Sequence, residues 1–411
     1  MPTVKSNRST VFFLVSQIIS LFGSSLVQCS ISWQITLETQ SGTMMTIALI
    51  CGFLPMFLVA PFAGVWADRY NRKRLVIFSD AMIAIATLGL GAAFWLGYRD
   101  IKLIFAIMVI RGLGQGIQSP AVGSVLPSLA APEQLMRLNS INSAAQSAMM
   151  LVSPALAAAL ISVAPLEYIF LIDIATAVVA IVILTAFVKL KPREKDAVAE
   201  KVSYFGDIKL GLKYLAGNKI VKLISIFSIV INLLSAPIAV LYALQVTRLF
   251  GADAWRLGVA DTAFAVGMLA GGLLLTAWGG LKNKHSTASI GIIVVSVGTL
   301  FLGVVVSFPL FIALMVLIGF AMPVTNTPSI TMLQENTDPE YMGRMFSLLN
   351  MVSSLAMPLG LVVFGPLADV IGLGLLFVLT GGAMIVLSLA FALNKTIHAA
   401  GVMVKKEKNI V

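Results

Sequence analysis

Apolar runs of about 20 residues recur along the whole chain, separated by short polar stretches. Wound as a helix at ~1.5 Å per residue, such a run crosses the ~30 Å hydrocarbon core of a bilayer. The runs are continuous and do not alternate, which excludes barrel strands. Twelve helices are predicted, over Thr10–Trp33, Thr43–Trp66, Leu75–Tyr98, Ile101–Ser124, Asn139–Val163, Leu166–Leu190, Ile220–Val246, Leu257–Leu281, Thr287–Ser307, Leu310–Met332, Met342–Ile371 and Leu373–Asn394. The expected fold class is therefore an all-α polytopic membrane protein with twelve transmembrane helices. Pro55 and Pro61 are expected to kink the second helix. The residues Tyr204–Ala216 fit a short amphipathic helix on the membrane surface. In the first helix Ser16, Gln17, Ser20, Ser24, Ser25, Gln28, Ser30 and Ser32 gather on one side. That side must face a partner helix or a watery cavity, and both stay open.

Composition agrees with this pattern and narrows the function. The chain has 411 residues, of which 59% are hydrophobic, beyond the half that soluble domains approach. The net charge of +10 does not mark a nucleic-acid partner, because the bases lie between helices and in the tails. Lys5 and Arg8 precede an apolar run too long for a cleaved signal, so that run is expected to be a retained first helix. Cys29 and Cys51 lie inside apolar runs, and His285 and His398 are isolated, so no disulfide framework or metal site is expected. No nucleophile–base pair or nucleotide-binding glycine pattern is present, which excludes an enzyme and a bound-ATP engine.

A repeat divides the chain. Pro120 and Pro328 are offset by 328 − 120 = 208, and Arg137 and Arg344 by 344 − 137 = 207. Two homologous six-helix halves follow, with expected limits at 1–190 and 219–395, a basic cytoplasmic linker at 191–218 and a tail at 396–411. Parallel halves with substrate between them are a transporter arrangement. Loops after the second, sixth and eighth helices carry most of the Lys and Arg, which places both termini in the cytoplasm.

Charges within the apolar runs are the candidate chemistry. An Arg or Asp at the centre of a bilayer costs about 2.5–3.5 kcal/mol on insertion scales. Arg111 lies ten residues into its helix, about 15 Å deep at ~1.5 Å per residue. It is either a functional cation or a structural one held by buried acids or carbonyls. Asp173, six residues into its own helix, is either a structural acid or a coupling carboxylate. Asp80 lies about one turn past the basic loop and is expected to pair with Arg72, Lys73 or Arg74. Asn232, Gln245, Asp261, Asn326 and Asn350 are expected to be buried or half-buried, and Gln28, Asn232, Asn326 and Asn350 to line a substrate cavity.

Gly64-Val-Trp-Ala-Asp68-Arg69-Tyr-Asn71-Arg72-Lys73-Arg74 is a charged turn between two apolar runs. Gly64 would allow close helix approach, and Asn71 tolerates a left-handed backbone. With Asp68, Arg69, Arg72 and Lys73, the turn resembles the loop between helices 2 and 3 of the major facilitator superfamily, with Asn71 in place of the usual Gly. Arg111-Gly-Leu-Gly-Gln-Gly116 resembles that family's helix 4 motif with Gly114 and Gln115 in swapped order. Ser153-Pro154-Ala-Leu-Ala157-Ala158 resembles the antiporter motif Gly-Pro-x-x-Gly-Gly with small residues replacing its glycines. Through Leu21-Phe-Gly-Ser-Ser25, Gly52-Phe-Leu-Pro55 with the basic loop, and Ser119-Pro-Ala121, the chain looks most like drug–proton antiporters of the macrolide-efflux type within the family.

The resemblance implies two pseudo-symmetric bundles rocking about a midplane cavity by alternating access. It implies export of an amphiphilic drug, a macrolide antibiotic first, from the bacterial cytoplasmic membrane. The expected driving force is the proton motive force, with no cofactor. Arg111 and Asp173 would couple proton binding to substrate release, and Asp68, held by bases and by the start of helix 11, would latch one state. The expected partners are the substrate, protons and lipid, with the protein a monomer; a partner ATPase stays open. Export of a siderophore, lipid or other drug, uptake of a nutrient, and a non-transporting partner of another pump are the alternatives.

Overall fold

A computed structural model describes residues 8–129, 132–188 and 204–401; within them the side chains of Asp68, Pro132, Glu133, Met136 and 204–208 are outside the description. The described chain is helical: α1 (Arg8–Thr39), α2 (Gly42–Arg69), α3 (Arg72–Trp95), α4 (Ile101–Leu129), α5 (Pro132–Val163), α6 (Leu166–Phe187), α7 (Tyr204–Gly217), α8 (Lys219–Leu234), α9 (Tyr242–Phe250), α10 (Ala254–Trp278), α11 (Lys284–Leu302), α12 (Phe308–Asn336), α13 (Met342–Ile371), α14 (Leu373–Ala392) and α15 (Lys395–Ala400). Twelve spans among the described residues are long and apolar enough to cross a membrane. Phe62, Ile85, Val363 and Val386 are exposed, as helices apolar all round require when their outer faces meet lipid.

Several boundaries differ from the apolar runs, because helices continue past the hydrocarbon. Pro132-Glu-Gln-Leu-Met-Arg137 is the start of α5, not a loop; proline is tolerated at a first helical position and the next residues are good helix formers. The seventh span, Lys219–Phe250, is interrupted by a π-helical turn at Pro237–Leu241. Pro237 has no N–H to continue the α-helical ladder, so the backbone rewinds there.

The chain forms two compact units. One comprises Met1–Gln40, Met44–Asp196 and Ala252–Thr262; the other comprises Ser41–Thr43, Ala197–Gly251 and Ala263–Val411. In the first, α1 packs on α5 and α6, and α3 on α4 and α6. In the second, α11 packs on α12 and α14, and α13 on α7 and α8. Apolar clusters hold each: Phe13, Val76, Val125 and Leu184 in the first, Val221, Ile292, Met332 and Phe391 in the second.

The same packing device recurs in both. A Cβ on Gly112 of α4 would collide with the Gly52 carbonyl oxygen of α2. A Cβ on Gly319 of α12 would collide with the Phe264 carbonyl oxygen of α10. The two glycines are offset by 319 − 112 = 207, the interval between Arg137 and Arg344. The sequence repeat is thus a repeat of helix contacts, in which a missing side chain lets two backbones meet.

Candidate functional site

The interior of the first unit holds a buried ion pair. Arg111 is 1% exposed, and its NH1 donates to Asp173 Oδ2 at 2.7 Å and to Thr87 Oγ1. Its NH2 donates to the Ser24 carbonyl oxygen at 3.3 Å, while Nε is buried without a partner among the described residues. Asp173 accepts in addition from Thr87 Oγ1 at 2.9 Å and from Ser24 Oγ at 3.3 Å. Four helices therefore meet on one charge pair. Gly23 makes this possible, since a Cβ there would stand 2.9 Å from the Asp173 Cα and run into Thr176. Without it α1 could not lie close enough to α6 to present Ser24. The two residues singled out in the sequence are brought together; Thr87 and Ser24 complete the site, and only the polar side of α1 hinted at the latter.

Asp80 does not pair with the basic loop. It is 2% exposed and accepts on Oδ1 from Ser20 Oγ of α1 at 2.9 Å and from Gln118 Nε2 of α4. Arg72 and Lys73 reach backbone carbonyls instead, most of them at helix C-termini. Arg72 Nε donates to the Ala67 carbonyl at 3.2 Å and NH1 to the Ser124 carbonyl at 3.0 Å. Lys73 Nζ donates to the Thr185 and Val188 carbonyls at 3.1 and 2.7 Å. C-terminal carbonyls lack intrahelical donors and carry partial negative charge, so they draw these cations away from Asp80.

The rest of the loop is partly revised. Arg69 ends α2 and is exposed, and the Asp68 side chain lies outside the described residues. Asn71 has φ −68, not a left-handed backbone; it caps α3 by accepting from the Arg74 N–H at 3.3 Å. No described atom lies within 4 Å of where a Cβ would stand on Gly64, so close helix approach does not explain that glycine.

On α5, Ser153, Ala157 and Ala158 are buried and Pro154 is half-buried. Gly258 in the first turns of α10 fits against Ala158, the Pro154 carbonyl and Trp33. These small residues serve close packing. Of the polar candidates, Gln245 is buried, and Gln28 and Asp261 are half-buried. Asn232, Asn326 and Asn350 are exposed, against expectation. Asn232 donates to the Ser228 carbonyl of its own helix at 3.0 Å, which satisfies one of its amide donors in this exposed position. Among the described residues no cluster of His, Cys, Asp or Glu is arranged to hold a metal.

A second polar cluster went unforeseen. Asp369, near the end of α13, accepts from the backbone N–H of Gly42 and Thr43, both at 2.9 Å. It also accepts from the hydroxyls of Ser41 and Thr43, both at 2.8 Å, and from Arg248 NH2 at 2.8 Å. A carboxylate at free N–H groups is a helix N-cap supplied from a distant part of the chain. This hold explains why Ser41–Thr43 group with the second unit. Asp369→Ala is expected to cost about 0.5–2 kcal/mol, the range for losing a cap. A Ser41→Cys thiol should then react faster with a maleimide than it does beside the intact Asp369. Equal rates would show that the cap does not hold residues 41–43.

Comparison with known proteins identifies the family. The Major Facilitator Superfamily model matches residues 13–248 and 225–407. The chain is 30% identical over 376 residues to macrolide efflux protein A of Streptococcus pyogenes, covering 91% of this chain and 92% of that protein. It is 22% identical to the staphyloferrin A transporter of Staphylococcus aureus, covering 93% and 95%. Among solved structures, a bacterial homolog of the human lysosomal transporter Spinster superposes with a TM-score of 0.72 at 15% identity, covering 98% of this chain and 99% of that one.

Proposed function

The chain belongs to the major facilitator superfamily and is a multi-pass secondary transporter, not an enzyme; from that premise we propose that it exports a macrolide antibiotic in exchange for protons by alternating access. The observation that carries the substrate is the 30% identity, along 91% of the chain, to a macrolide efflux protein. In this reading the protein sits in a bacterial cytoplasmic membrane with both termini inside. Its domain limits are 1–190 and 219–395, and Gln28, Asn232, Asn326 and Asn350 face the substrate path. Arg111 and Asp173 form the coupling element, because a charge pair retained in an apolar interior is costly and marks function. A second reading, export of a siderophore, is favoured by the similarity to the staphyloferrin A transporter.

Inside-out vesicles with a respiration-acidified lumen and a quenched pH dye test the proposal. Erythromycin should restore fluorescence when the intact protein is present. No response to erythromycin, with a response to a siderophore, would favour the second reading. Asp68→Asn should abolish the signal while leaving the amount of folded protein unchanged. Normal transport by that variant would remove the latch assigned to Asp68.

A further inference from the structure

The Arg111–Asp173 pair leaves another acid of the first unit unexplained. Asp80 is buried on α3, and its two donors, Ser20 and Gln118, are both neutral and both on Oδ1. Its Oδ2 is buried with no hydrogen-bond partner among the described residues. Gln17, one turn before Ser20 on α1, is also buried, and its Nε2 has no partner among the described residues. Among the described residues the charge that acts on Asp80 through space is Asp173 of α6, which is itself paired with Arg111 of α4. From α1 it meets only neutral side chains.

The two acids differ in what a proton would do to them. Both oxygens of Asp173 are taken, Oδ1 by Ser24 and Oδ2 by Thr87 and Arg111. A proton there would strip the guanidinium of its counter-charge in a site where a lone buried charge is poorly tolerated. Asp80 has no base to strip among the described residues. Its Oδ1 keeps both donors in either form, and the open Oδ2 receives or gives up a proton without any partner having to move. Ser20 and Ser24 are four residues apart on α1, about 6 Å at ~1.5 Å per residue. The open carboxyl therefore lies about one turn from the ion pair, close enough for a change in its charge to be felt there.

We propose that Asp80 is the proton-carrying carboxyl of this transporter, with the Arg111–Asp173 pair as the fixed charge element beside it. This rests on the antiport reading. One proton binds at Asp80 Oδ2 and leaves the same atom when substrate binds; Gln118 and Ser20 position the group.

The test uses the full-length protein purified in detergent. The infrared carbonyl band of a protonated carboxyl is followed through a pH titration, and proton release is followed in unbuffered solution as erythromycin is added. Asp80→Asn is expected to remove one pH-dependent band and the erythromycin-linked release. In vesicles it should abolish gradient-driven export yet retain exchange of labelled erythromycin without a gradient. Asp80→Glu should keep all of these. An unchanged band together with unchanged proton release in Asp80→Asn would overturn the proposal. Should that variant not fold, Gln118→Leu leaves the acid and removes one donor, and it should move the midpoint of the band; an unmoved midpoint counts against Asp80. An Asp80-dependent band with no release on adding erythromycin to the intact protein would support the proton site and overturn the macrolide reading instead.

Discussion

Arg111→Ala should abolish proton-driven export and destabilise the protein by about 3–5 kcal/mol, the cost of removing one partner from a buried ion pair. The loss is large because Asp173 stays behind, 1% exposed, with only two hydroxyls to face its charge. Hydrogen bonds from neutral groups contribute about 1 kcal/mol net each and do not offset an uncompensated buried charge. The side chain removed is also the largest fully buried one described, so a cavity adds to the cost. The double variant Arg111→Gln with Asp173→Asn separates stability from function. It keeps shape and hydrogen bonding while removing both charges, so most of the lost stability should return. Export should not return if the pair is part of the coupling element. Thermal unfolding in detergent and erythromycin uptake by inside-out vesicles read the two effects. Recovery of export by the neutral pair would reduce Arg111 and Asp173 to structural residues.

Gly112→Ala should be nearly as damaging, by a different route. The new methyl would run into the Gly52 carbonyl oxygen, and backbone cannot step aside as a flexible side chain can. Overpacking of this kind costs about 1–3 kcal/mol. Moving α2 away from α4 would also disturb Arg111, the neighbouring residue, so export should fall with stability. Gly319→Ala meets the Phe264 carbonyl in the same way and should match the loss of stability. Gly89→Ala is the control. No described atom lies within 4 Å of its would-be Cβ, and alanine is favoured over glycine in a helix by roughly 1 kcal/mol. Its unfolding midpoint should stay level or rise. If Gly112→Ala unfolds at the same temperature as Gly89→Ala, the backbone contact between α2 and α4 does not hold the unit together.

Much of the architecture was legible because a bilayer imposes a length on every spanning element. A run of apolar residues names its own helix, and the charges left inside such runs stand out by their cost. Arg111 and Asp173 were found in that way, and the structure places them 2.7 Å apart. The interval of 207 between Arg137 and Arg344 likewise anticipated the shared packing of Gly112 and Gly319.

Partner choice was not legible. Asp80 has three bases within eight residues in sequence, yet it meets Ser20 and Gln118, because rotation of α3 aims it inward while Arg72 and Lys73 find backbone carbonyls of other helices. Asp369 lies in the last turn of α13, and only folding brings it to the N–H groups of Gly42 and Thr43. Asn71 matched a left-handed turn by residue type and became a helix cap. By itself, then, the sequence determined the number of spans, the internal repeat and the presence of costly buried charge. Those follow from local hydrophobicity and chain length. Which oxygen each buried donor faces was decided only by the tertiary structure, since it depends on the rotation and closeness of helices far apart in the chain.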